Sequence, residues 1–168
     1  KSTLYCSDVF ITHGHDDHIQ NLLELECTKE KNVNIYVPEE IADNINKLFE
    51  NKYLLSHDGE YNKDLSKRKV IPVYPNFEKN IIINNETFKL KVFKCFHSIP
   101  CVGYGLSKYK TKLNSKYENL NGKELLELKK SGIDISVTIL DNFFLYLGDT
   151  THEVFNDENV LNYKFIMI

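Results

Sequence analysis

One stretch limits this chain more than any other, Thr12-His13-Gly14-His15-Asp16-Asp17-His18. It sets three imidazoles and two carboxylates within seven positions, directly after the apolar run Val9-Phe10-Ile11. Ile19, Leu22 and Leu23 follow at the spacing of one helical face. The pattern predicts a buried strand, a tight turn eased by Gly14, and a helix that opens near Asp17 and runs to about Leu25. His13 and His15 then leave an extended loop on one side, while Asp17 and His18 sit on the first helical turn and point another way. Four ligands diverging like this suit two adjacent metal ions better than one.

The donor types agree with that geometry. Neutral imidazole and carboxylate suit zinc, and also manganese or iron. No cysteine lies in the cluster, which argues against a structural zinc finger, and a catalytic site keeps a position for water. A histidine-rich loop that is merely solvated is the plainer alternative. The order H-x-H-x-D-H straight after an apolar strand is much more specific than that.

Length and charge bound the rest. A chain of 168 residues suits one domain with a sizeable core. With 42% hydrophobic and 27% charged residues, the composition is that of a soluble globular protein. A formal charge of -3 exerts no global pull on nucleic acid, so any such binding needs a local patch. No run is apolar enough to span a bilayer. Cys6, Cys27, Cys95 and Cys101 form no C-x-x-C pair, and reduced thiols in an intracellular compartment are the simplest account.

Along the chain, Cys27 to Asn32 reads as a polar turn and Val33, Ile35 and Val37 alternate as a half-buried strand. Pro38 with Glu39 and Glu40 starts a helix whose buried face is Ile41, Ile45, Leu48 and Phe49. Residues 51–69 lack periodicity and read as a surface loop insertion holding a solvent-facing His57. Val70 to Tyr74, interrupted by Pro72, is an edge strand. Ile81 to Ile83, Asn84-Asn85, and Phe88 to Val92 form a hairpin. Its second strand runs into His97, which stands at a strand end as His13 does. Gly103 to Leu106 is a return strand.

Lys108, Lys110, Lys112, Lys116 and Lys123 follow, interleaved with Tyr109 and Tyr117. Such a run is usually a solvated face, although cations and rings together also suit a single-stranded RNA end. A helix over about Lys123 to Lys130 stops at Gly132. Ile135 to Ile139 is a strand, Asp141-Asn142 a turn, and Phe143 to Leu147 a buried strand ending in Gly148-Asp149-Thr150. A carboxylate freed by a glycine at a strand tip is a candidate to bridge two metals, or else a turn residue capping the backbone. His152 reads as a surface group. Phe165 to Ile168 is a last apolar strand.

The phrase from Phe10 to His18 resembles the signature of the metallo-β-lactamase superfamily, and His97 and Asp149 resemble its later ligand motifs. Within it, His97-Ser98-Ile99-Pro100, Gly103-Tyr104 and the stretch from Lys116 to Gly132 resemble the ribonuclease Z family, in the short form of plants and other eukaryotes. The resemblance implies an α/β (α+β) fold, the αββα sandwich of that superfamily. It implies two zinc ions, with His13, His15 and His97 on one, Asp17 and His18 on the other, and Asp149 bridging. It further implies cleavage of the 3′ trailer from precursor tRNA, with Asp17 orienting the attacking water, and a homodimer. Tyr104, Lys108, Lys110 and Lys112 are candidate substrate contacts.

The family's sandwich has strands before the histidine cluster, and a further histidine ligand and a general-acid histidine after the last strand here. This chain is therefore expected to be a segment of one domain, incomplete at both ends. A small-molecule phosphodiesterase with the same ligands and a non-catalytic RNA-binding scaffold are the alternatives. The lysine–tyrosine stretch weighs against the first, and the intact ligand series against the second.

Overall fold

The apolar run ahead of the histidines folds as β1 (Asp8–Phe10), which lies parallel to β2 (Val33–Pro38), itself parallel to β3 (Arg68–Val73). β2 is central in this three-stranded sheet, and four of its six residues in a row, Ile35 to Pro38, are buried. β3 is at the edge, where Pro72 can face away from the ladder. The computed structural model of the chain describes residues 6–27, 32–61 and 67–168.

The second sheet has five strands in the order β4-β5-β6-β7-β8: β4 (Glu78–Ile83), β5 (Glu86–Lys94), β6 (Val102–Leu113), β7 (Ser136–Tyr146) and β8 (Phe165–Met167). Asn84 and Asn85 turn the β4–β5 hairpin at φ 50° and 66°, the double left-handed step such two-residue turns need. β8 joins parallel to β7.

The layers follow from three apolar clusters. On the outer face of the first sheet, α2 (Ala42–Ser56) seats Ile45 and Phe49 against Val33, Ile35 and Val37. Burial of each such side chain contributes about 1.5–3 kcal/mol. Between the sheets, Tyr36 and Val73 pack on Leu90, Val92, Val102 and Tyr104. Beyond the second sheet, Leu145 and Leu147 meet Val154 and Val160, the latter on α4 (Glu158–Leu161). Helix, sheet, sheet and short helix are thus stacked in order, the expected sandwich architecture.

Three local expectations are corrected. The first helix, α1, covers only Asp16–Ile19 and continues as a 3-10 turn through Cys27, still directing Ile19, Leu22 and Leu23 into the core. The loop read over 51–69 is helical to Ser56, because polar Asn51 and Lys52 occupy the solvent face of α2 while Tyr53 stacks on His57 at 4.3 Å. Asp141-Asn142 is no turn. β7 runs straight through, absorbing one extra residue in a bulge opposite Leu106 and Ser107, and Asp141 pairs with Lys110 and Lys164. The polar turn read at 28–31 and residues 62–66 of the insertion lie outside the described residues.

Candidate metal centre

The antiparallel order β5-β6-β7 makes β5 and β7 run the same way, so their C-terminal ends reach one edge of the molecule. His97 follows β5, Asp149 follows β7, and the histidine loop follows β1. Backbone bonds lock the three segments together: Val102 N–H donates to the Thr12 carbonyl at 2.9 Å and Thr151 N–H to the Phe96 carbonyl at 2.9 Å. Phe96 N–H also donates to Thr150 Oγ1 at 3.0 Å. Residues up to 136 positions apart, His13 and Asp149, meet there as a consequence.

One ligand atom from each of His13, His15, His97 and Asp149 lies within 4.8 Å of all the others. His97 Nε2 is 3.2 Å from His15 Nδ1, and His13 Nε2 is 4.0 Å from Asp149 Oδ2. A second group adjoins the first across the same carboxylate. His18 Nε2 is 3.7 Å from Asp149 Oδ1 and 3.5 Å from Asp17 Oδ2. The other Asp149 oxygen faces His13, so Asp149 stands between the two sets of side chains. The first residues of α1 carry Asp17 and His18, as their spacing predicts.

His13 supplies the physical test of a metal. It is fully buried, and its Nε2 has no hydrogen-bond partner. Its Nδ1 lies 3.0 Å from Thr12 Oγ1. The tautomer that donates from Nδ1 to Thr12 leaves the Nε2 lone pair aimed at Asp149, the usual arrangement of a ligand histidine. Burial, and then the imidazoles of His18 and His97, hold His13 below the ordinary histidine range, with Asp149 opposing. Neutral imidazole is the metal-binding form. An unpartnered buried nitrogen facing a carboxylate costs on the order of 1–3 kcal/mol, which a cation would offset. The donor set fits a divalent metal ion.

Gly148 permits the approach of the Asp149 loop. Its φ is +61°, and a Cβ there would lie 2.6 Å from Thr12 Oγ1, the group that holds His13. Beside His97 opens a cleft of about 590 Å³, lined also by Glu40, Lys94, Phe96, Ile99 and Thr151.

Comparison with known proteins places the chain in a family. The Beta-lactamase superfamily domain matches residues 6–100. The tRNase Z TRZ1 of Arabidopsis thaliana is 34% identical over 154 residues, 89% of this chain and 52% of the relative. The chloroplastic tRNase Z TRZ2 of the same plant is 32% identical over 89% of this chain and 41% of its own length. The nuclear ribonuclease Z of Triticum aestivum is 30% identical over 78% of this chain and 72% of the relative. The chain belongs to the ribonuclease Z family. It spans about half the length of the first two of these relatives.

The four candidate substrate contacts of this ribonuclease Z chain have different surroundings. Tyr104 is a core residue, 3% exposed, whose hydroxyl donates to the Ile11 carbonyl at 2.7 Å, with the Tyr36 carbonyl at 3.1 Å. Its hydroxyl is engaged within the core. Lys108 donates to Glu86 at 3.0 Å, and Lys110 pairs with Asp141. Those two charges are partly neutralised within the sheet, while Lys112 is exposed. His57 and His152 are surface groups, His152 beside Glu153 at 3.5 Å.

Three supporting residues escaped sequence reasoning. Thr12 and Thr150 act through a hydroxyl at His13 and at the Phe96 backbone, and Cys101 donates to the Asp149 carbonyl at 3.4 Å. Each adjoins a ligand or a ligand loop, and a buried polar residue directly before His13 was the one available signal.

Proposed function

We propose that this chain forms the metal-binding part of a zinc-dependent endoribonuclease that removes the 3′ trailer of precursor tRNA. The observation that carries the reading is the meeting of His13, His15 and His97 with Asp149, whose far oxygen faces His18 and Asp17. The names of the relatives support tRNA as the substrate. His13, His15 and His97 would hold one zinc, Asp17 and His18 the second, with Asp149 common to both. Bound there, such ions would supply an activated water and screen charge on the phosphoryl oxygens.

The protein's own groups do the rest. Thr12 holds the His13 ring through its hydroxyl at Nδ1. Asp17, whose side chain is 77% exposed, is free to orient the attacking water or accept its proton. The cleft beside His97 admits an extended strand, and Lys94 on its wall suits a phosphate. Because water attacks, no substrate 2′-hydroxyl is consumed. The products are a 3′-hydroxyl on the tRNA and a 5′-phosphate on the trailer.

The exposed lysines at the end of the lysine–tyrosine stretch lie well away from this point. Val102 to Lys112 is extended chain spanning roughly 33 Å, and Lys112, Lys116, Lys123 and Lys129 crowd its far end, on and around α3 (Gly122–Lys130). That spacing suits the body of a tRNA whose 3′ end reaches the metals. A homodimer and an intracellular setting complete the reading. Among the described residues no helix is long and apolar enough to cross a membrane.

The test is cleavage of a 3′-extended precursor tRNA by the metal-loaded protein in its longest natural form, with and without chelator and beside Asp17→Ala. A single cut at the trailer junction, lost in both controls, is expected. Hydrolysis of a simple phosphodiester with the precursor left intact would favour a small-molecule substrate instead.

A further inference from the structure

Two thiols face each other at the neck of the loop that carries His97. Lys94 ends β5, Val102 begins β6, and the two are register partners. One step further sets Cys95 opposite Cys101, and Cys95 N–H donates to the Cys101 carbonyl at 3.3 Å. Directly opposed antiparallel residues have Cα atoms about 4.5–5.5 Å apart, inside the ~4.4–6.8 Å that a disulfide spans. Opposed side chains also leave the same face of the sheet. Both side chains accordingly sit in one cluster with Leu145 and Leu147. Both residues line the cleft beside His97.

Each thiol also supports the segment that carries Asp149. Cys95 donates to the Leu147 carbonyl at 3.3 Å and Cys101 to the Asp149 carbonyl at 3.4 Å. Cys101 Sγ is 4.0 Å from His13 Nδ1. Among the described residues, Cys6 is the other free cysteine, and it is exposed.

We propose that Cys95 and Cys101 are a peroxide-oxidisable pair whose disulfide weakens metal binding at His13, His97 and Asp149. Hydrogen peroxide takes two electrons and both thiol protons and leaves as two waters, while one S–S bond replaces two S–H bonds. The carbonyls of Leu147 and Asp149 then lose their donors, and the loop 96–100 becomes a covalently closed ring. Loss of such outer hydrogen bonds lowers metal affinity by roughly 10–100-fold. The effect on metal rests on the proposed centre, whereas the disulfide itself does not.

Trypsin cutting after Lys94 and Lys108 releases both cysteines on one peptide, free of Cys6 and Cys27. After mild peroxide treatment of the zinc-loaded protein and alkylation, that peptide should be unalkylated and lighter by two hydrogen atoms than its reduced form. Dithiothreitol should reverse the change. Zinc affinity, measured by competition with a chromogenic chelator, should fall about tenfold or more on oxidation, and Cys95→Ser should abolish the fall. Two alkylatable thiols persisting while Cys6 is oxidised would overturn the proposal, as would a disulfide that leaves zinc affinity unchanged. A reduced protein without zinc affinity would overturn the metal centre, and the peptide mass would still decide whether the pair oxidises.

Discussion

The buried Nε2 of His13 faces Asp149 Oδ2 across 4.0 Å and has no hydrogen-bond partner. Proteins rarely leave a fully buried imidazole nitrogen in that state. The nearest imidazoles, His15, His18 and His97, have ring centroids 4.8, 4.1 and 4.8 Å from that of His13. Four rings this close, beside one carboxylate, repel one another whenever they are protonated. A divalent cation held among them would relieve that repulsion.

This gives a pH dependence with a definite sign. Burial and the neighbouring rings lower the His13 pKa from 6.5, so the unfolded chain binds its proton more readily than the folded one. Stability of the metal-free protein is therefore fully present above about pH 6.5 and is lost as pH falls from there through the folded pKa. Chemical denaturation of chelator-treated protein from pH 8 to pH 5 should show this decline. His13→Asn should flatten it, and an unchanged slope in that variant would contradict the assignment.

Gly148→Ala should damage both fold and site. A left-handed non-glycine residue costs about 1–2 kcal/mol, and here the new Cβ also meets Thr12 Oγ1 and Cβ at 2.6 and 2.9 Å. Gly132, at φ +78°, has nothing within 4 Å of the same added atom. Thermal melting should place Gly132→Ala within the left-handed penalty alone. Gly148→Ala should exceed it and should also lose metal affinity. Equal effects in the two variants would show that the contact with Thr12 carries no weight.

Tyr104→Phe separates a structural role from a substrate role. Removing the hydroxyl strips a donor from the buried Ile11 and Tyr36 carbonyls, at a cost of about 1–3 kcal/mol. The variant should melt at a lower temperature and bind RNA with unchanged affinity. Weaker RNA binding without loss of stability would return Tyr104 to the substrate.

What could be read in advance follows from distance along the chain. The motif from His13 to His18 is local, so the strand, the loop and the helix start carrying it are legible from seven residues. His97 and Asp149 are single residues at strand ends, and only the family pattern joined them to the cluster. The placement of Tyr104 was hidden because its partners lie 93 and 68 positions away. Lys110 looked free for the same reason, since Asp141 of β7, which opposes Lys108 of β6, comes within its reach only after the two strands pair. Asp141-Asn142 has the composition of a turn, and tertiary pairing overrode it. Helix α2 outlasts its apolar periodicity because Tyr53 and His57 stack at its end.

Asp149→Ala should remove a side chain shared by both groups of donors. Because even outer-shell changes cost up to about 100-fold in metal affinity, this one should cost at least that much. His152→Ala, at an exposed position three residues on, should leave affinity unchanged.

Elemental analysis of the purified protein in its longest natural form, by mass spectrometry at equilibrium with a limiting free-zinc buffer, tests the metal centre most directly. Two zinc ions per chain are expected, falling to one or none in Asp149→Ala while His152→Ala keeps both. Substoichiometric zinc in the unaltered protein, or full zinc retained without Asp149, would contradict the account.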